Sequence, residues 1–101
     1  MKRIPLYRDG GTEGIDELLR KAAKGNEKAA EELMTVYADE IYFAALTYVK
    51  DSETAREILD KSISDLHRSI SVYPGKEFDS WLAEIVYRNA LSAVKERILA
   101  S

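Results

Sequence analysis

A single histidine, His67, and the absence of cysteine leave this 101-residue chain with few side chains suited to covalent or metal chemistry. His67 lies on a mostly polar helical stretch with no second histidine and no HExxH-type spacing around it. It reads as a surface or half-buried side chain rather than a metal ligand or general base. Without cysteine there is no disulfide, thiolate nucleophile or zinc–thiolate site, which agrees with a reducing cytoplasm. Carboxylates fall side by side, as in Glu31-Glu32 and Asp39-Glu40, so they do not face one another as an acid–base pair. No glycine-rich phosphate loop or nucleophile motif occurs. The chain is therefore expected to bind rather than to catalyse, with no metal and no cofactor. The stretch best suited to binding runs from Tyr73 to Arg97, YPGKEFDSWLAEIVYRNALSAVKER. Pro74-Gly75 must stop a helix near Tyr73, because proline lacks an N–H and glycine loses the most backbone entropy on ordering. A new helix then opens around Phe78 or Asp79, with Asp79 as its expected N-cap.

The elements that position this stretch follow from hydrophobic periodicity. Three- and four-residue spacing places Phe78, Leu82, Ile85, Val86, Ala90, Val94 and Ile98 on one buried stripe. The same helix leaves Glu84, Tyr87, Arg88, Ser92, Lys95 and Glu96 to water or a partner. Upstream, Ile15, Leu18, Leu19, Ala22 and Ala23 mark a short helix that ends at Gly25, a natural left-handed stop. Asn26 is the expected cap of a long central helix with the stripe Ala30, Leu33, Tyr37, Ile41, Ala44, Ala45 and Tyr48. A second row, Met34, Ala38, Tyr42 and Phe43, widens its buried face. Aromatic residues at helical spacing read as core rather than as a ligand cage, since they supply large buried areas. Asp51 or Ser52 caps a third long helix with the stripe Ala55, Leu59, Ile63 with Ser62, Leu66, Ile70 and Tyr73, and with Arg56, Glu57, Asp60, Lys61, Ser64, Asp65 and Arg68 on its outer face.

Composition supports the same picture. Hydrophobic residues make up 46% and charged residues 33% of the chain, with two prolines and five glycines, which favours an all-α bundle over a β-sandwich or a disordered chain. The expected architecture is one short and three long helices, with neighbours packed antiparallel across tight breaks. Residues 1–14 read as a flexible arm and 15–101 as one helical domain. Lys2 and Arg3 are not followed by an apolar run, so neither a secretory signal nor a membrane span is expected. The net charge of −3 does not indicate a strongly basic nucleic-acid binder, although a local basic face would still hold phosphates.

The order of these features resembles region 2 of bacterial RNA polymerase sigma factors of the extracytoplasmic-function class. The resemblance spans about residues 15–97. It is carried by Leu18, Gly25, Glu31-Glu32-Leu33, Tyr37, Tyr42, Ala45-Leu46, Asp51, Ala55, Phe78, Trp81, Leu82 and Ile85. It implies a sigma region 2-like fold that acts in transcription initiation. The third helix, residues 54–71, would dock on the coiled coil of the largest subunit of RNA polymerase core through Glu57, Asp60, Lys61 and Arg68. The loop Tyr73–Phe78 would capture an unstacked base of the minus-ten promoter element. Lys76, Arg88, Asn89 and Lys95 would contact promoter DNA.

Differences from the family pattern fall on these working surfaces. An Asp-x-x-Gln-Glu-like run is replaced by Glu57-Ile58-Leu59-Asp60-Lys61, and an aromatic position by His67. The loop and last helix, residues 76–101, carry four basic and four acidic side chains, giving no net charge. No helix-turn-helix follows within the chain. An alternative reading is a sigma-like interaction module that binds an anti-sigma factor or another regulator without binding a promoter. Shared helical patterning alone is opposed by the positional matches at Gly25, Asp51, Phe78 and Trp81.

Overall fold

A computed structural model describes residues 12–75 and 77–100; of Thr12 and Glu13 the backbone alone is described. The expected arm thus falls mostly outside the described residues, as do Lys76 and Ser101. The first helix begins before Ile15 and takes in residues assigned to the arm. The described residues form four α-helices: α1 Thr12–Ala23, α2 Glu27–Val49, α3 Ser52–Ser69 and α4 Phe78–Ala100. A single 3₁₀ turn, Ile70–Val72, extends α3. No strand occurs among the described residues, and the all-α class read from the sequence is the observed one.

Each break follows from local chemistry. Gly25 takes φ 102° and its N–H donates to the Ala22 carbonyl, a left-handed conformation that most side chains avoid. Asn26 accepts the Ala29 N–H at 2.9 Å and so caps α2. Lys50 takes φ 54° and returns its N–H to the Leu46 carbonyl, which closes α2. Asp51 then caps α3 by accepting the Thr54 N–H at 2.9 Å together with the Thr54 hydroxyl.

The Thr54 hydroxyl and N–H hold the Asp51 carboxyl below its ordinary value of 3.8, with a smaller contribution from the Arg97 charge. The unfolded chain consequently binds this proton more readily than the folded one. The cap's contribution is present above the unfolded pKa and is lost as pH falls through the lowered folded value. Acidification below 3.8 is therefore expected to lower the thermal midpoint. In Asp51→Asn the midpoint should be lower at neutral pH and should fall less on acidification; parallel curves for the two proteins would remove Asp51 from this role.

Helix α2 packs against the other three helices and forms the centre of the core. Leu33, Tyr37, Ile41 and Ala45 on α2 meet Leu18 and Ala22 of α1, Ala55, Ile58 and Leu66 of α3, and Phe78, Leu82, Val86 and Ala90 of α4 in one apolar cluster. Helix α3 runs antiparallel to α2, its end meeting the start of α2 through His67 and Glu27, and α4 runs antiparallel to α3, Trp81 lying against Tyr73 and Asn89 reaching back to Ser62 and Asp65. Helix α4 runs parallel to α2 but is staggered by about half a helix length: Phe78 at the start of α4 lies against Tyr37 in the middle of α2, and Tyr87 in the middle of α4 lies against Tyr48 at the end of α2. Two 23-residue helices, each roughly 35 Å long and offset along one another, give a long axis of 47 Å against 25 and 21 Å.

Three expectations about side chains change. Ile58 lies in the core, at 1% exposure, although it was not assigned to the stripe of α3. Because α3 contacts both α2 and α4, its buried arc is centred on Ala55, Ile58, Ser62 and Leu66. Phe43, Tyr48 and Ile98, assigned to buried rows, are exposed. Asp79 is not the cap of α4: it sits in the first turn, and the Glu77 carbonyl accepts the first helical bond, from Trp81 N–H at 3.1 Å.

Candidate functional site

The connection between α3 and α4 carries two of the four positive-φ residues among those described. Tyr73 closes the 3₁₀ turn through its N–H to the Ile70 carbonyl and takes the extended conformation that the following proline favours. Gly75 at φ 92° and Glu77 at φ 55° are both left-handed. Such a conformation is uncommon for a residue other than glycine, and Glu77 holds it immediately before the first turn of α4.

Four aromatic rings support this turn from below. Phe78 lies 5.1 Å from Tyr37 and 5.4 Å from Tyr73, and Trp81 lies 5.1 Å from Tyr73 and 5.8 Å from Phe78. Tyr37 and Phe78 are buried, whereas Tyr73 and Trp81 are half-buried. Tilted and edge-on arrangements at these separations are the favourable ones for aromatic pairs. The cluster fixes Tyr73 at the boundary between core and solvent.

Tyr73 forms one wall of an open groove of about 400 Å³ between the turn and α1. Leu19 and Ala23 line its apolar part, Gly75 its rim, and Asp16, Arg20 and Lys24 its polar part. Arg20 pairs with Glu17 on its own helix, while Lys24 lies at the end of α1. Burial pushes the Tyr73 phenol above its ordinary value of 10.0, with Asp16, Asp79 and Glu77 adding to the effect. The phenol is therefore a neutral hydroxyl over the ordinary pH range, able to donate as well as accept. An aromatic wall and an apolar floor suit a flat heteroaromatic group, and on the mixed-charge edge, where Asp16 lies and Arg20 is paired with Glu17, Lys24 is the side chain placed to meet an attached phosphate.

The residues expected to contact nucleic acid do not share one environment. Arg88 and Lys95 are exposed on α4 and lie two turns apart, roughly 10 Å along the helix. Lys76 lies outside the described residues. Asn89 departs from the expectation. It is half-buried and turned towards α3, where its amide donates to Ser62 Oγ at 3.2 Å and to Asp65 Oδ2 at 3.0 Å. Ser62 is fully buried, so Asn89 satisfies a hydroxyl that would otherwise be costly in the core. Its role is to join α3 to α4; one position earlier, Arg88 points outward.

Glu57, Asp60, Lys61 and Arg68 recur at three, four and eleven residues after Glu57 and lie together on the exposed side of α3. Arg68 donates to Ser64 Oγ at 3.0 Å and pairs with Asp65. His67 is exposed and 3.0 Å from Glu27, joining the end of α3 to the start of α2. Among the described residues no cluster of three or more metal-ligating side chains occurs, and no helix is long and apolar enough to cross a membrane.

Arg20 and Lys24 were not assigned to a site from the sequence. Their relation to Tyr73 arises only because α1 folds against the 3₁₀ turn some fifty residues later. Local periodicity carries no trace of that contact. No family model matches the chain, and no curated protein or solved structure shows significant similarity to it.

Proposed function

We propose that this chain is a sigma region 2-like module of transcription initiation. It docks on the coiled coil of the largest polymerase subunit through the Glu57, Asp60, Lys61 and Arg68 face of α3. It holds an unstacked base of the minus-ten element in the groove against Tyr73. The strand then passes along α4, where Arg88 and Lys95 meet its phosphates. The observation that carries this reading is the groove itself, in which a fixed, half-buried tyrosine faces Arg20 and Lys24 across a space open to solvent. Bases flipped from a stack are commonly held by aromatic or apolar stacking, with basic side chains on the backbone.

The test is fluorescence anisotropy of a labelled minus-ten single strand with the chain and polymerase core. Lys24→Glu is expected to weaken binding about tenfold, since it removes one phosphate contact and adds a repulsive charge. A salt dependence shallower than that of the unaltered chain should accompany the loss. Unchanged affinity and slope in a folded variant would take α1 out of the site.

A second reading, an interaction module for an anti-sigma factor or similar regulator, is favoured by the exposed apolar residues Tyr48, Tyr87 and Leu91. Binding to such a protein without any binding to core and strand together would select it.

A further inference from the structure

Helix α4 is apolar on two opposite sides. One side, with Phe78, Leu82, Ile85, Val86 and Ala90, is in the core. On the other, Tyr87, Leu91 and Ile98 fall within about 40° of one another around the axis and are 46%, 45% and 68% exposed. Tyr48 of α2, its ring 5.8 Å from that of Tyr87, broadens this surface. A helix at the surface of a bundle needs only one apolar face, and a contiguous second one marks a contact surface.

The charges beside this face indicate what covers it. Glu84 and Lys95 lie along one edge, eleven residues apart, which is three turns and roughly 16 Å. They are opposite in sign and equidistant from a point midway between Asn89 and Ala90. When a second α4 crosses antiparallel about that point, Glu84 of each copy meets Lys95 of the other, and Arg88 of each lies over Leu91 of the other. In a parallel pairing this edge would instead face the opposite edge of the partner helix, so Glu84 and Lys95 would not meet. Self-complementarity under a two-fold axis is the requirement for an isologous dimer.

We propose that the chain self-associates as an antiparallel two-fold dimer through the Tyr87, Leu91 and Ile98 face of α4, held in register by reciprocal Glu84–Lys95 pairs. The dimer covers Arg88 and Lys95. Self-association and strand binding therefore exclude one another, a consequence that rests on the function proposed above, although the dimer itself does not.

Sedimentation equilibrium on the full chain tests the dimer, with circular dichroism as the check on folding. The unaltered chain is expected to show a concentration-dependent monomer–dimer equilibrium, and Leu91→Ser to weaken it at least about tenfold. Glu84→Lys and Lys95→Glu should each weaken it about tenfold, since each creates two like-charge contacts, and the double exchange should restore it to within about threefold. A chain that stays monomeric at concentrations on the order of 100 µM overturns the proposal. So does a dimer indifferent to Leu91→Ser, or one that the double exchange fails to restore. If Leu91→Ser does not fold, the charge exchange alone decides.

Discussion

Phe78→Ala is expected to lower the free energy of unfolding by about 3–5 kcal/mol, the range for removing a buried phenyl ring. Phe78 is 6% exposed and contacts the rings of Tyr37, Tyr73 and Trp81, so its removal leaves a cavity lined by three rigid groups that cannot readily collapse. Domains of this size have roughly 5–15 kcal/mol in total, so the variant should be close to unfolding at 37 °C. Urea denaturation measures the loss directly through a shifted midpoint at unchanged slope. A change under about 1 kcal/mol would show that the turn before α4 is not supported by the ring cluster. The same substitution frees Tyr73, so strand binding should fall even at temperatures where the variant remains folded.

Ile58→Ala is expected to cost about 2–5 kcal/mol, whereas Glu57→Ala next to it should stay within roughly 0.5 kcal/mol of the unaltered chain. Ile58 is 1% exposed within the cluster that α2, α3 and α4 share, and Glu57, about 100° round the helix, is exposed. The pair of variants reports the rotation of α3 about its axis. If Glu57→Ala were the more damaging, the polar face assigned to polymerase would instead be turned inward.

The helices were legible because their start and stop signals are local. Gly25, Asn26, Asp51 and Pro74-Gly75 act through hydrogen bonds and dihedral limits within three or four residues, and the observed breaks fall at each of them. The faces were less legible. Helix α3 touches two neighbours, and its buried arc is centred one position away from the stripe that the most regular spacing suggested, which is how Ile58 was missed. In α2 and α4, apolar residues occur nearly all round. Periodicity cannot say which of two rows is covered, and Phe43, Tyr48 and Ile98 prove to be exposed.

The candidate site divides in the same way. The turn and its aromatic residues were readable from YPGKEF and Trp81, whereas Arg20 and Lys24 entered only with the tertiary contact of α1. Asn89 illustrates a further limit. A polar residue next to the outward-facing Arg88 reads as exposed, yet the need to satisfy the buried Ser62 hydroxyl turns it towards α3.

The central claim is that the groove beside Tyr73 takes up an unstacked base while α3 holds polymerase. It is tested most directly by titrating polymerase core and a minus-ten single strand with the chain and with Tyr73→Ala, reading core binding and strand binding separately. The account predicts that the unaltered chain binds core and that the complex captures the strand. It also predicts that Tyr73→Ala retains core binding but loses strand affinity about tenfold, the effect of removing one stacking surface. A folded, unaltered chain that binds neither core nor strand, or a Tyr73→Ala complex that captures the strand as well as the unaltered one, would contradict it.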